Sequence, residues 1–440
     1  MSDNTTDKAL LGALTTALGA APDTVESIFD EAGHLVELRL TLPTQTTIPG
    51  TIGEFRSLQR LGMSGGQIAT LPPEIGHLTR LYELDITTSA LQHLPPEVGN
   101  LRLLRALYLR NNLLTDLPNN IAHLRELQVL ALGGNRLQEW PTQIHDLPHL
   151  EWLFLDGNQL TEIPAQVGRL RNLKRLDVSG NQIRVLPREI GDLTNLERLD
   201  LRGNQVTRLP PTVGALVNLR ELYLWGNQLS DLPPEIGKLT GLHRLYLGGN
   251  QITQISPELG KLTSLLELDL SGNRISLLPP QIEHLTNLRE LDLAGNQLAH
   301  LPPGIGAIPG LRRLNLSSNR LNQLTPWIGQ LEHLRELDLK FNRLTSLPSD
   351  IGQLKSLQIL DLRGNYLTRL PPEIEQLTDL WTLNLADNRL TRLSPEIGRL
   401  RNLVMLDLRR NELIHLPKEL RDLPNLRELY IDDNPLLLEE

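Results

Sequence analysis

Cysteine is absent from this chain of 440 residues, which excludes disulfide staples, thiolate metal sites, iron–sulfur clusters and a cysteine nucleophile. The same absence favours a reducing compartment. Aromatic residues make up only 3% while hydrophobic residues reach 40%, so the core is expected to be large and aliphatic. Lys plus Arg number 43 against 52 Asp plus Glu, a formal charge of −9; with no overall basic field, nucleic-acid binding is disfavoured. No apolar run approaches the length of a membrane span, so the chain reads as soluble.

The N-terminal stretch Ala9 to Ala21 is apolar, but Asp3 and Asp7 outnumber Lys8 ahead of it, whereas a secretion signal needs a positive flank. It therefore reads as folded. Leu10, Leu14 and Leu18 recur at helical spacing with Leu11 beside them, predicting an amphipathic helix with Asn4 as N-cap. Asp23 with Glu26 looks like a capping box that opens a second short helix, with Val25, Ile28 and Phe29 on its apolar face. Residues 1–34 are thus expected to form a helical N-terminal cap.

From Leu35 onward the sequence divides into seventeen complete units of 23 residues and a partial one, without insertion or deletion. Numbered from its first leucine, every unit has leucine at positions 1 and 4 and an aliphatic residue at position 6, and every complete unit has an aliphatic residue at position 18. Position 9 is Asn in fifteen units; Pro43, Gly66 and Ser89 are the exceptions. Position 15 is Pro in fourteen complete units, and where it is Ser256, Thr325 or Ser394 the next residue is Pro. Alternation over positions 3 to 7 marks a short strand with 4 and 6 facing inward and 3, 5 and 7 outward. A buried Asn at position 9 can bond backbone groups of the turn, so stacked copies form a ladder. Pro at position 15 restricts the return path to extended chain and brief helical turns. Strands about 4.8 Å apart in a parallel stack give an arc on the order of 80 Å, a surface suited to a macromolecule.

This pattern, held over residues 35–440, resembles the leucine-rich repeat family, most closely the intracellular 23-residue varieties: the plant Ras-group repeats, the Shoc-type Ras scaffolds and the repeat domains of Roco proteins. The resemblance implies an α/β solenoid, a horseshoe with a parallel β-sheet on its concave face and an irregular, short-helical convex side. It also implies a scaffold or adaptor in signalling, with a small GTPase, kinase or phosphatase as partner. The N-terminal residues lack an Arg/Lys-Val-x-Phe motif, so phosphatase docking is not carried over.

Catalytic constellations do not emerge. The eleven histidines scatter, mostly over the returning half of the repeats, with His243 alone beside the strand face and no nucleophile next to it. There is no H-E-x-x-H and no P-loop. The expectation is a non-enzymatic protein with no catalytic, cofactor or metal residues. Asp85, Asp177, Asp200, Asp269, Asp292, Asp338, Asp361 and Asp407 all occupy position 5. Their reading is a solvated ladder partly neutralised by Arg175, Arg198, Arg363 and Arg409, with an acidic strip for a basic partner as the alternative.

Positions 2, 3, 5, 7 and 8 hold ten of the fifteen aromatic residues. Large rings on a solvated strand face add nothing to an aliphatic core, and Trp, Tyr and Arg anchor protein interfaces. The candidate partner-binding residues are Tyr108, Trp152, Phe154, Arg220, Tyr223, Trp225, His243, Arg244, Tyr246, Phe341 and Trp381. The sequence thus predicts a cytoplasmic, non-enzymatic protein-interaction scaffold binding a protein on the concave face, without nucleic-acid or membrane partners. The rival readings are a sensor module acting with a separate GTPase or ATPase, and a secreted bacterial effector. The C-terminal unit stops at Glu440 without a polar outer layer, so end-on self-association through that edge is a further expectation unless the terminal leucines fold over it.

Overall fold

The computed structural model describes residues 6–437; the Asn4 cap and Leu438 lie outside them. The first element is helix α1, Thr6–Leu18. Its Leu14 and Leu18 are buried and its Leu10 and Leu11 half-buried, on the face that the helical spacing predicts. Asp7, in the first turn of α1, accepts a hydrogen bond from Leu35 N at 2.7 Å, and Gln45 Nε2 donates to Leu18 O at 2.6 Å, so both ends of the helix are tied to the first repeat.

The expected second helix is a strand. Residues Val25–Phe29 form β1, which pairs antiparallel with β2, Leu35–Thr41, with Val25 opposite Leu40 and Ile28 opposite Glu37. Asp23 lies in a single turn, Pro22–Thr24, where Thr24 Oγ1 donates to Ala21 O. Backbone groups on the open edge of β2 give this segment partners that an isolated short helix lacks, and β-branched and aromatic residues suit them. Asp30 turns the hairpin by accepting from His34 N at 2.8 Å.

The chain forms two compact units, Met1–Leu219 and Arg220–Glu440. In the first, β2 pairs parallel with the next strand, Arg60–Ser64, and each later repeat adds a three-residue strand in register, such as Leu153 beside Leu176. The second repeats the pattern, with Leu245 beside Leu268 and Leu268 beside Leu291. The register is set by leucine at position 4, which is buried in both units; only in the last repeat is it open, Leu429 being 39% exposed. Leu437 is also exposed.

Behind each strand the chain returns through a 3₁₀ turn. Proline at position 15 stands just before it, extended, as Pro72 stands before Pro73–His77 and Pro233 before Pro234–Lys238. The asparagine ladder is present: Asn181 accepts from Leu160 N and donates to Leu155 O and Val178 O, and Asn273 does the same with Ile252 N, Leu247 O and Leu270 O. The ladder asparagines from Asn112 to Asn411 are buried, so these bonds replace water for amides that otherwise have none. Among the described residues no helix is long and apolar enough to cross a membrane.

Candidate functional site

Two local rules decide what the strand face presents. The first concerns position 5. Its carboxylate or amide oxygen turns back to accept the backbone N–H of position 7, as Asp177 does from Ser179, Asp269 from Ser271, Asp338 from Lys340 and Asn384 from Ala386. These are Asx turns that end the strand. The aspartates of these repeats are therefore built into their turns and are not only a solvated ladder.

The second concerns position 8, which takes a left-handed conformation from Gly65 to Asp433, φ lying between 53° at Arg410 and 76° at Gly65. Glycine fills most of these sites because it has no Cβ to strain. Phe341 occupies one with φ 56°. Position 8 is thus a turn residue, not part of the strand, and Phe341 presents its ring from the turn.

In residues 1–219, Phe154 lies between the guanidinium groups of Arg110 and Arg175, 5.5 and 5.0 Å from its centroid. Arg110 also holds Asp156 at 2.5 Å. Burial pushes the Asp156 carboxyl above its ordinary value, and nearby Asp177 adds to this against the pull of Arg110. Trp152 is exposed. Tyr108 is half-buried and its phenol is raised by burial and by Glu83 and Asp85. The neutralisation expected for the aspartates holds at Asp200, whose fully buried carboxylate accepts from Arg198, as expected, and more closely from Arg202. It does not hold for Arg175, which serves Phe154.

In residues 220–440 the candidates of two adjacent repeats come together. Tyr223 and Tyr246 stack with centroids 5.0 Å apart. Arg244 bridges Glu221 at 2.6 Å and Glu267 at 3.1 Å, and Tyr246 Oη donates to Glu267. The two glutamates raise the already high value of Arg244. Burial, then the bond to Glu267 and its charge, raise the Tyr246 phenol. Arg220 Nη1 donates to Gly241 O at 2.9 Å, at the entrance to the strand, and His243 is half-buried beside it. Trp225 is 53% exposed. Its indole rests against Gly248, where a side chain would come within 2.6 Å of it. Phe341 rests on Gly364 in the same way, with Arg363 5.5 Å from its centroid, and Trp381 is also exposed. Arg363 pairs with Asp387 at 2.8 Å, not with Asp361, whereas Arg409 grips Asp407 as expected.

Between these aromatics in sequence lies an acidic trough of about 390 Å³. Parallel pairing sets Glu267 beside Glu290, Asp269 beside Asp292 and Asp338 beside Asp361. Arg313 answers Glu290 and Glu336, and Lys340 answers Asp338. Burial raises the carboxyls of Asp292 and Asp361, and neighbouring aspartates add to it. The position-5 column alone did not reveal this trough, because position 3 contributes Glu267, Glu290 and Glu336 to it as well. Reading both columns together finds it. Tyr366, exposed with Arg389 4.6 Å from its centroid, was also missed because it sits at position 10.

Among the described residues no three His, Asp or Glu side chains gather as metal ligands do. Among curated proteins, none matches the chain. Solved structures do. A leucine-rich repeat protein of Leptospira interrogans is 34% identical, over 91% of this chain and 90% of its own, with a TM-score of 0.75. The plant peptide hormone receptor RGFR1, in complex with RGF2, is 29% identical over 92% of this chain and 72% of its own, with a TM-score of 0.75. YopM of Yersinia enterocolitica is 25% identical over 100% of this chain and 93% of its own, with a TM-score of 0.65. The family described as "Leucine-rich repeat region" matches residues 87–181, 163–271 and 311–433, and "Leucine Rich repeats (2 copies)" matches 263–303 and 286–329. With the 23-residue period, the asparagine ladder and the parallel register, these matches establish that the chain belongs to the leucine-rich repeat family.

Proposed function

We propose that this protein is a non-enzymatic interaction module that binds a protein or peptide through its strand face in residues 220–440, with exposed aromatics as anchors and the acidic trough as the complement to basic side chains. The observation that carries the reading is the exposure of Trp225, Phe341 and Trp381 on a face whose core is otherwise aliphatic. Rings that bury little in the fold bury more against a partner, which is where interface energy concentrates. Paired in-register acids disfavour the free state and favour a basic ligand. The likeness to a plant peptide hormone receptor solved with RGF2 supports a peptide occupant.

The narrower reading is a cytoplasmic scaffold in signal transduction whose partner is a small GTPase, kinase or phosphatase. It draws on the repeat type alone. The rival, a secreted bacterial repeat protein, draws on the likeness to proteins of Leptospira and Yersinia. Fractionation of host cells separates the two.

The test is selection of a displayed peptide library on the wild-type chain, followed by counter-selection on a Trp225→Ala/Trp381→Ala variant with an unchanged melting temperature. Enriched peptides are expected to be basic and to lose binding to the variant. Peptides bound equally by both would remove the strand face from consideration.

A further inference from the structure

Arg80, Arg102, Arg105 and Arg125 line one surface cavity of about 690 Å³ within residues 1–219, together with Tyr82 and His123. Three consecutive repeats supply them. Arg80 ends one repeat, Tyr82 and Arg102 stand at positions 2 and 22 of the next, and Arg105 and Arg125 stand at the same positions of the third. The cavity therefore lies where the return path feeds into the strands.

All four arginines are exposed. Among the described residues, none has a carboxylate within ion-pair distance. This contrasts with neighbouring arginines of the same unit: Arg60 lies near Glu37 and Glu83, and Arg110 holds Asp156. One acid, Glu126, stands on the rim. In a chain of net charge −9, four guanidinium groups without an ion-pair partner around one cavity repel one another.

In six other repeats position 23 is Asn, and its amide donates to the position-22 carbonyl of the preceding repeat, as Asn172 does to Pro148 O and Asn195 to Arg171 O. In the three repeats around the cavity this position holds Arg80, Leu103 and Glu126, so no Asn fastens the chain beside the arginines, as is also the case in eight further repeats.

We propose that this cavity is a binding site for an oligophosphate group. Guanidinium forks match phosphate oxygens in pairs and are weakly hydrated, which makes arginine clusters selective for phosphates. A single phosphate carries roughly two negative charges, fewer than the four cations less one carboxylate supply. Two or more linked phosphates match that excess. Tyr82 adds a hydroxyl donor and His123 an N–H. The site is separate from the strand-face reading and stands or falls without it.

Titration calorimetry of the full chain, in sulfate at matched ionic strength, tests the proposal with sodium pyrophosphate, inorganic phosphate and ADP as probes. The expected result is one pyrophosphate site, tighter than inorganic phosphate, weakened at least tenfold in both Arg105→Gln/Arg125→Gln and Arg80→Gln/Arg102→Gln. Arg369→Gln/Arg392→Gln, at a different cavity, should bind as wild type. ADP binding equal to pyrophosphate identifies the phosphates alone as the determinant, and tighter ADP binding identifies a nucleotide; both support the site. No pyrophosphate heat above the sulfate background, or equal affinity in both cavity variants with unchanged melting temperatures, would overturn it.

Discussion

The ring of Tyr246 lies 5.0 Å from that of Tyr223 and within 9° of parallel to it, while its hydroxyl donates to Glu267. Stacking and this hydrogen bond hold an aromatic pair rigid on the strand face, next to Arg244, which is itself held by two glutamates. A partner meeting this pair finds it already ordered, which lowers the entropy lost on binding.

The same bond makes a spectroscopic prediction. Glu267 favours the protonated phenol by accepting its hydrogen and repelling the phenolate, so Tyr246 titrates above the ordinary tyrosine range. In Glu267→Gln the charge is gone and the phenol should ionise at lower pH. Ultraviolet titration of tyrosinate absorbance reads the change; an alkaline transition identical in wild type and variant would show that Glu267 does not hold this proton.

Phe341 stands at a left-handed position that glycine fills in most repeats, with φ 56°. A side chain in that conformation costs about 1–2 kcal/mol, and the Arg363 contact returns about 0.5–1 kcal/mol at an exposed site. Phe341→Gly should therefore fold with unchanged or slightly raised stability, by about 1 kcal/mol or less. Selected strand-face peptides should bind it more weakly. A clear drop in urea midpoint would mean that the ring contributes to the fold.

Much of this was legible from residue spacing. Leucine at positions 1 and 4, Asn at 9 and Pro at 15 each serve one local job repeated down the stack, so their period gave the strand register, the ladder and the return turn. Val25 to Phe29 was misread because its partner, the edge of β2, lies further along the chain; local pattern cannot weigh a strand edge that is absent from the local window. The aspartates were half read: their position was evident, but the bond that Ser271 N donates to Asp269 is a turn device invisible to charge counting. The arginine cavity went unseen because Arg80, Arg105 and Arg125 sit in different columns that only folding brings together.

The acidic trough sets a pH dependence. Burial and neighbouring aspartates raise the folded-state values of Asp292 and Asp361 above the ordinary carboxyl range. A raised folded-state value means that the fold binds the proton more tightly than the unfolded chain does. The stabilisation is complete below the unfolded value and is lost as pH rises through the raised one. Asp361→Asn should thus be relatively more stable than wild type at neutral pH, with the advantage shrinking on acidification toward the ordinary value. Urea midpoints measured across that range check it. An advantage that grew as pH fell would contradict the assigned direction.

Ser89 marks a gap in the asparagine ladder that can be filled. It occupies position 9, where Asn112 in the next repeat accepts from Leu91 N and donates to Ile86 O and Leu109 O. The shorter Ser89 side chain cannot span these groups, and its buried Oγ has no hydrogen-bond partner. By the repeat geometry, Ser89→Asn places an amide oxygen toward Ile68 N and an amide N–H toward Met63 O and Ile86 O. Net hydrogen bonds contribute about 0.5–1.5 kcal/mol each, and an unsatisfied buried group is removed as well. The substitution should raise stability by about 1–2 kcal/mol, seen as a higher urea midpoint with unchanged m-value. The reverse change, Asn273→Ala, strips a filled rung of its bonds to Ile252 N, Leu247 O and Leu270 O. It should cost more than Ser89→Asn gains, because it strands several buried backbone groups at once. Equal and small effects from both substitutions would mean that the ladder contributes little to the stability of the stack.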